Sequence, residues 1–147
     1  MSVYVRLLAA HQRIYEASGG RVGHRLLGVP TLLLTTRGRR TGQRRTVALV
    51  YARDGDDLLV VASNGGSDKP PSWLLNLSAE PVVGVRLKRH QRRATARVVR
   101  PDDDGYDRLL ALCDAVNRGR YSAYQRKTSR PIPIVALSPQ ATPKDDR

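Results

Sequence analysis

This sequence has little of what would point to a secreted, membrane-embedded or metal-binding protein. Cys113 is its only cysteine, so the chain can form no internal disulfide and offers no cysteine-rich metal site. A bilayer span needs about 20 apolar residues, and no run here approaches that length. The N-terminus shows no charged-then-apolar leader. From these absences we predict a cytoplasmic protein.

Aromatic and acidic residues are also scarce. Aromatic residues make up 5% of the chain, phenylalanine is absent, and 13 Asp and Glu stand against 26 Lys and Arg. The resulting formal charge is +13, and most of the cations are arginines, whose planar guanidinium groups suit phosphates and carboxylates. An anionic partner is therefore expected. Net charge alone leaves nucleic acid, a membrane surface and a small polyanion as alternatives.

The length of 147 residues fits one domain over 1–147, with an N-terminal helix over 1–20, a core over 30–139 and a polar tail over 140–147. In the N-terminal segment, Val3, Leu7, Ala10 and Ile14 fall on one helical face. The opposite face is basic. Two roles stay open for this helix: covering a sheet, or peripheral contact with the inner face of the membrane.

Six segments have the composition of β-strands. Asp54-Gly55, between the second and third of them, is a strong hairpin signal. Two further helices are expected, one near Trp73 and one after Asp104 that buries Cys113. We predict an α+β fold, mainly antiparallel β, whose strands form a closed or half-closed barrel with flanking helices, because a curled sheet hides its edges. The six strands are 31–36, 46–51, 58–62, 82–87, 94–99 and 132–137.

Common enzymatic motifs are missing, including Gly-x-Ser-x-Gly, His-Glu-x-x-His, Cys-x-x-Cys and Gly-x-Gly-x-x-Gly. What the chain does have is a connector over 37–45, between the first two strands, with five arginines, two glycines and a threonine. Glycines let backbone N–H groups turn toward an anion, and arginines supply charge-assisted donors. A second anion-friendly element is the turn 64–66, which leads into the helix near Trp73. We interpret the connector as an anion cradle; a solvated basic turn is the alternative.

Three segments resemble the deazaflavin-dependent nitroreductase family and its F420H2-dependent quinone reductases. They are 34–45 (LTTRGRRTGQRR), 61–77 (VASNGGSDKPPSWLLNL) and 130–135 (RPIPIV), in matching order and with compatible spacing. The resemblance spans about Pro30 to Pro139. It implies a split β-barrel related to FMN-binding barrels, and hydride transfer from reduced coenzyme F420 to a quinone, nitroaromatic or similar acceptor. It also gives the arginines a ligand, since F420 carries a phosphodiester and an oligoglutamate tail.

The resemblance further implies which residues bind the coenzyme, and it implies no metal. The connector would hold the phosphate and tail, the second strand would line the deazaflavin, and the third strand and the following helix would border it. Ser63, Tyr121 and Tyr124 match positions near the family's substrate pocket, where a hydroxyl orients or protonates the acceptor; packing is the alternative for the tyrosines. The implied cofactor-binding residues are Arg39, Arg40, Thr41, Arg45, Thr46, Val47, Ala48, Leu49, Val50, Val61, Ala62, Ser63, Asn64, Lys69, Ser72, Trp73 and Asn76.

Two positions depart from the family pattern. Asn64 stands where many members have lysine, and Val50 stands where a nitro-drug-reducing relative has tyrosine. The expected partner is a small-molecule electron acceptor and not nucleic acid, because aromatic residues are too few for a base-stacking platform. A nucleic-acid-binding basic module is kept as an alternative, as is a split barrel that binds FMN or another ligand. Monomer and homodimer are both open.

Overall fold

The computed structural model describes residues 29–140, so the predicted helix over 1–20 and the tail after Gln140 lie outside the described residues. The strands are β1 (Thr31–Arg37), β2 (Arg44–Val50), β3 (Ala52–Asp54), β4 (Asp57–Val61), β5 (Val82–Leu87), β6 (His90–Val99) and β7 (Ile134–Pro139). The α-helices are α1 (Ser72–Ala79), α2 (Tyr106–Val116) and α3 (Arg120–Gln125), and Asn64–Gly66 forms a short 3₁₀ turn. Within 29–140, no helix is long and apolar enough to cross a membrane.

The described strands form one antiparallel sheet in the order β2-β1-β5-β6-β7-β4-β3. The two ends of this order, β2 and β3, are consecutive in the chain and are separated only by Tyr51. One bent stretch of chain therefore forms both edges of the sheet. The sheet curls into a barrel that is split where β2 approaches β4. The predicted barrel of antiparallel strands with flanking helices is confirmed.

Hydrophobic side chains are buried on both faces of the sheet, because successive residues of a strand point to opposite sides. On the concave face, residues of β1, β4, β5 and β7 pack with Trp73 and Leu77 of α1. On the convex face, residues of β3, β4 and β7 pack with Tyr106 and Cys113 of α2 and with Tyr121 of α3. Strand β4 contributes to both cores, which explains its continuous apolar sequence.

The strand boundaries differ from the prediction where the chain bends or where a basic stretch joins the sheet. The second predicted strand bends at Tyr51, whose N–H donates to the Pro30 carbonyl (3.2 Å), and the chain continues as β3. This bend raises the strand count from six to seven. Strand β6 begins at His90, because its basic residues pair with β5 and only Lys88 and Arg89 form the turn. The last strand begins at 134 and not at 132, and α3 was not predicted.

The hairpin predicted at Asp54-Gly55 is confirmed by the pairing of β3 with β4. Gly55 has φ +60°, a left-handed conformation that glycine adopts without strain. The hairpin is fastened to α2 by Arg108, whose Nη1 and Nη2 donate to the two carboxylate oxygens of Asp54 at 2.9 and 3.0 Å. This hydrogen bonding lowers the pKa of Asp54.

Cys113 lies on the buried face of α2, as predicted, and is 1% exposed. Burial, with a smaller effect of Asp114, raises the pKa of its thiol from 9.0 to about 12. Burial likewise raises the pKa of Tyr106 from 10.0 to about 12. Both groups ionise more readily in the unfolded chain, so the stability that their neutral forms confer is complete below pH 9 and is lost as the pH rises toward 12.

We therefore expect the free energy of unfolding in urea to stay level up to pH 9 and to fall between pH 9 and pH 12. The decline should be shallower in Cys113→Ala, because that variant has no thiol to ionise. A free energy that is the same at both ends of this interval would contradict the prediction.

Candidate active site

The connector between β1 and β2 is a closed loop held by its own main chain. The Gly38 N–H donates to the Gln43 carbonyl (2.7 Å), and the Gly42 N–H donates to the Gly38 carbonyl (2.8 Å). Gly42 has φ +72°, which favours glycine. A Cβ on Gly38 would lie 3.0 Å from the Oγ1 of Thr41, so a side chain there would crowd the loop. This tight closure leaves the arginine side chains of the connector exposed.

Asn76 of α1 joins the connector to the helix. Its Oδ1 accepts hydrogen bonds from the main-chain N–H of Arg39 (3.2 Å) and from the Arg39 Nη1 (2.9 Å). Its Nδ2 donates to the Oγ1 of Thr36 at the end of β1 (3.2 Å). Asn76 is 3% exposed, and a buried amide that bonds three groups fixes them relative to one another. The first turn of α1 is thereby held beside the arginines.

A pocket of about 510 Å³ lies between the connector, β2 and the first turn of α1. Exposed arginines line it together with the half-buried Val47 and the largely buried Trp73. Within residues 29–140, no carboxylate lies within ion-pair distance of Arg40 or Arg45. Cations without acidic partners beside the start of a helix favour an anion. Besides Gly38, the lining consists of the predicted residues Arg39, Arg40, Thr41, Arg45, Thr46, Val47, Ser72, Trp73 and Asn76.

The other predicted residues of β2 lie on two sides of the strand. Leu49 is on the concave side with Val47, whereas Ala48 packs with Leu33 on the convex side, to which the alternation of the strand also assigns Val50. Of the described strands, only β1 pairs with β2. The second edge of β2, which faces β4 across the split, therefore carries main-chain groups outside the sheet ladder.

The end of β4 and the turn after it hold the next group of predicted residues. Val61 belongs to the convex core, and Ala62 belongs to the concave core. Ser63 follows and is 7% exposed. The Nδ2 of Asn64 donates to the carbonyl of Lys69 (3.1 Å), so this side chain stabilises the turn itself. None of these residues lines the pocket beside the arginines. The connector and the turn 64–66, the two anion-friendly elements of the sequence, therefore do not form one pocket.

Tyr121 and Tyr124 lie on α3, behind the turn on the convex side of the sheet. Tyr121 is 7% exposed and packs in the convex core, with its ring centroid 6.3 Å from that of Tyr124. The carbonyl of Tyr124 would lie 3.0 Å from a Cβ placed on Gly66, so α3 packs closely against the turn. Neither tyrosine lines the pocket beside the arginines. Their predicted role toward the acceptor, like that of Ser63, stays a prediction.

The two glycines of the connector were expected to turn their N–H groups toward an anion, but the N–H groups of Gly38 and Gly42 donate to carbonyls within the loop instead. Two supporting residues, Thr36 and Arg130, were not predicted. Thr36 could have been found only from its bond to Asn76. Arg130, just before β7, donates to main-chain carbonyls of the turn that carries Ser63. Its one signal in the sequence was its place at the head of the segment 130–135.

The sequence matches a family model described as F420H(2)-dependent quinone reductase over residues 7–139. The F420H(2)-dependent quinone reductase Rv1261c of Mycobacterium tuberculosis (strain ATCC 25618 / H37Rv) is 47% identical over 137 residues, which is 92% of this chain and 92% of that protein. A solved F420-H2 dependent reductase (FDR-A) has 32% identity and a TM-score of 0.66, covering 74% of this chain and 94% of its own. A structure described as a domain-swapped dimer has 30% identity and a TM-score of 0.69, and the match covers 93% of this chain and 100% of that one. The chain therefore belongs to the F420H(2)-dependent quinone reductase family.

Proposed function

We propose that the pocket between the connector and α1 holds the phosphate and glutamate tail of F420, and that a quinone accepts the hydride. As a member of its family, the chain is an F420H2-dependent reductase with coenzyme F420 as its cofactor. The quinone comes from the name of the 47% identical relative. One observation carries the assignment of the pocket: exposed arginines line it, and Arg40 and Arg45 have no acidic partner among the described residues.

The donor set fits this coenzyme. Guanidinium groups form strong charge-assisted bonds with phosphate and carboxylate oxygens, which F420 carries in its phosphodiester and tail. The volume of about 510 Å³ lies in the range of about 300–1,000 Å³ that is usual for small-ligand pockets. Val47 and Trp73 add apolar surface next to the cations. This combination suits a ligand with a planar ring at one end and anions at the other.

In this proposal the chain places and shields the reactants. Reduced F420, when bound, supplies the hydride. Arg40 and Arg45 bind the phosphate and tail, and Trp73 and Val47 exclude water from the ring. The second edge of β2 offers main-chain donors and acceptors beside it. The Ser63 hydroxyl orients the acceptor oxygen, and placement within about 3–3.5 Å would be the main catalytic contribution.

The described part of this site needs no strong acid or base. Neither histidine nor carboxylate lines the pocket, in agreement with chemistry that the coenzyme supplies.

The matches to the family model and to the curated relatives do not favour the alternative of a nucleic-acid-binding module. The relative described as a domain-swapped dimer supports a homodimer over a monomer, which light scattering on the purified protein would decide. Peripheral contact of the helix predicted over 1–20 with a membrane rests on the sequence alone.

The direct test mixes the protein anaerobically with reduced F420 and menadione and follows the absorbance of oxidised F420. We expect oxidation that depends on both protein and quinone. Nitroaromatic acceptors, tested in parallel, define the acceptor class. If no quinone in a panel is reduced while a nitroaromatic compound is, the quinone assignment is wrong.

A second experiment titrates the protein with F420 and, separately, with FMN and follows Trp73 fluorescence. It decides which of the two ring systems the pocket prefers, and F420 should bind more tightly.

A further inference from the structure

The guanidinium group of Arg130 bonds three carbonyls of the turn that follows β4. Its Nη1 donates to the Ala62 carbonyl (3.2 Å), and its Nη2 donates to the carbonyls of Ser63 and Ser67 (3.1 Å each). Its Nε donates to Ser67 as well (3.2 Å). A planar fork of donors can bridge several acceptors that a lysine could not bridge at once. One side chain thus holds both ends of the turn 62–67.

Arg130 is itself held in place from two directions. Its main-chain carbonyl accepts a bond from Gln125 Nε2 (2.8 Å), and its N–H donates to Thr128 Oγ1 (3.1 Å). The Thr128 hydroxyl donates to Asp68 Oδ1 just beyond the turn (2.5 Å). Segment 125–130 and the turn 62–68 are therefore tied together by side chains from both. The main chain of Arg130 is thereby fixed beside the turn that its guanidinium group bonds.

The turn that Arg130 holds has a backbone that its own residues permit but do not fix. Three successive residues have positive φ: Asn64 at +45°, Gly65 at +65° and Gly66 at +84°. Glycine adopts positive φ about as readily as negative φ, and asparagine tolerates it, so the sequence by itself leaves other conformations open to the turn. A Cβ placed on Gly66 would lie 3.0 Å from the Tyr124 carbonyl, so α3 leaves no room for a side chain there. The bonds from Arg130 hold the turn in this one conformation.

We propose that Arg130 is a positioning residue for hydride transfer: it fixes the turn 62–67 and, through it, places Ser63 against the reactants. This inference rests on the proposed function, in which the Ser63 hydroxyl orients the acceptor oxygen. Arg130 lies outside the pocket that holds the phosphate and tail, and it bonds none of the residues that line it. Its loss should therefore lower the rate of transfer more than the affinity for F420.

The test compares Arg130→Ala with Arg130→Lys and with the control Arg108→Ala. Arg108 likewise donates side-chain hydrogen bonds from its guanidinium group, but to Asp54 in the hairpin of β3 and β4 and not to the turn 62–67. At saturating F420H2 and menadione, Arg130→Ala should slow single-turnover transfer on the order of tenfold or more, since small displacements of reacting groups are costly. Its F420 dissociation constant, read from Trp73 fluorescence, should change less than about threefold. Arg108→Ala should leave both values unchanged.

Two further readouts separate positioning from a general loss of stability. An added alkylguanidine should restore part of the rate of Arg130→Ala and leave Arg108→Ala unaffected. Arg130→Lys, which keeps the charge and one or two bonds, should lie between the wild type and Arg130→Ala and serves as the folded variant if Arg130→Ala does not fold. Equal loss of rate and affinity, or no rescue, would overturn the proposal.

Amide hydrogen exchange tests the role of Arg130 without coenzyme or acceptor. Exchange of the amides at 64–68 should speed up in Arg130→Ala or Arg130→Lys and not in Arg108→Ala. Unchanged exchange refutes the fixing of the turn, whatever the activity. A third outcome is that exchange rises in the variants while none of the acceptors tested supports oxidation of F420H2 by the wild-type protein. In that case the proposed function has failed, and the placement of Ser63 for transfer fails with it. The fixing of the turn by Arg130 still stands.

Discussion

Replacing Arg40 and Arg45 together by alanine is expected to raise the dissociation constant of F420 at least about tenfold, since each charge-assisted bond to an anion contributes about 1.5–3 kcal/mol. Both side chains are exposed and have no acidic partner among the described residues, so the substitution removes attraction for the ligand and little internal bonding. Fluorescence of Trp73, which lines the same pocket, reports binding directly. The effect should shrink at high salt, which screens exposed charges.

The matched control replaces Arg97 and Arg100 by alanine. Both are exposed arginines near the end of β6. It loses the same charge from a surface outside the pocket, so it corrects for the general attraction of a +13 protein for an anion. Equal weakening in both double variants would mean that net charge, and not the pocket, attracts F420. An unchanged affinity in the Arg40 and Arg45 variant would refute the site.

Asn76→Leu is expected to have the second large effect, on stability as well as on binding. Leucine has no amide, so the main-chain N–H of Arg39 and the buried Thr36 hydroxyl lose the hydrogen bonds that they make to Asn76. An unsatisfied buried group costs about 1–3 kcal/mol, so we expect a loss of about 2 kcal/mol or more in urea unfolding. Because the connector is then no longer fastened to α1, F420 affinity should fall about tenfold at the same time.

Thr36→Val provides the comparison, because it removes only the bond to Asn76 Nδ2 and keeps both bonds to Arg39. Its loss of stability should be about 1 kcal/mol, and its F420 affinity should stay within about twofold of the wild type. If Thr36→Val weakens F420 binding as much as Asn76→Leu does, the bonds to Arg39 are not what shapes the pocket.

The strands of this fold could be predicted because composition and turn chemistry act locally. Asp54-Gly55 marks a hairpin, and 82–87 was predicted with the bounds that β5 has. The bend at Tyr51 was not predicted. Tyr51 still follows the register of β1 with β2, in which Thr31 pairs with Val50, and from Ala52 onward the chain pairs with β4 instead. Such a change of partner leaves no signal in the local composition. The start of β6 was missed because its basic residues looked like a solvated loop, whereas pairing with β5 satisfies their main chain.

That arginines of the connector lie together at one pocket could be predicted for a similar reason: residues close together in sequence stay close together in space. The long-range contacts that support the pocket and the turn could not be predicted. The resemblance implies Asn76 as a cofactor-binding residue, but it does not give the bond of Asn76 to Arg39 across 37 positions or that of Arg130 to Ala62 across 68. No local pattern distinguishes such an arginine from one in solvent, because the acceptors are main-chain carbonyls that every residue has. Contacts of this kind become visible only once the chain is folded.

The second edge of β2, along which no described strand pairs, has a consequence for how this protein can change its chemistry. A ligand held by backbone groups does not depend on which side chains the strand carries. In the proposed binding mode, exchange of Val47 or Leu49 for a larger or smaller residue would therefore reshape the space around the ring and keep the main-chain groups that hold it. Divergence toward new oxidants, natural or engineered, should then accumulate at these side chains, with the arginines beside them left in place.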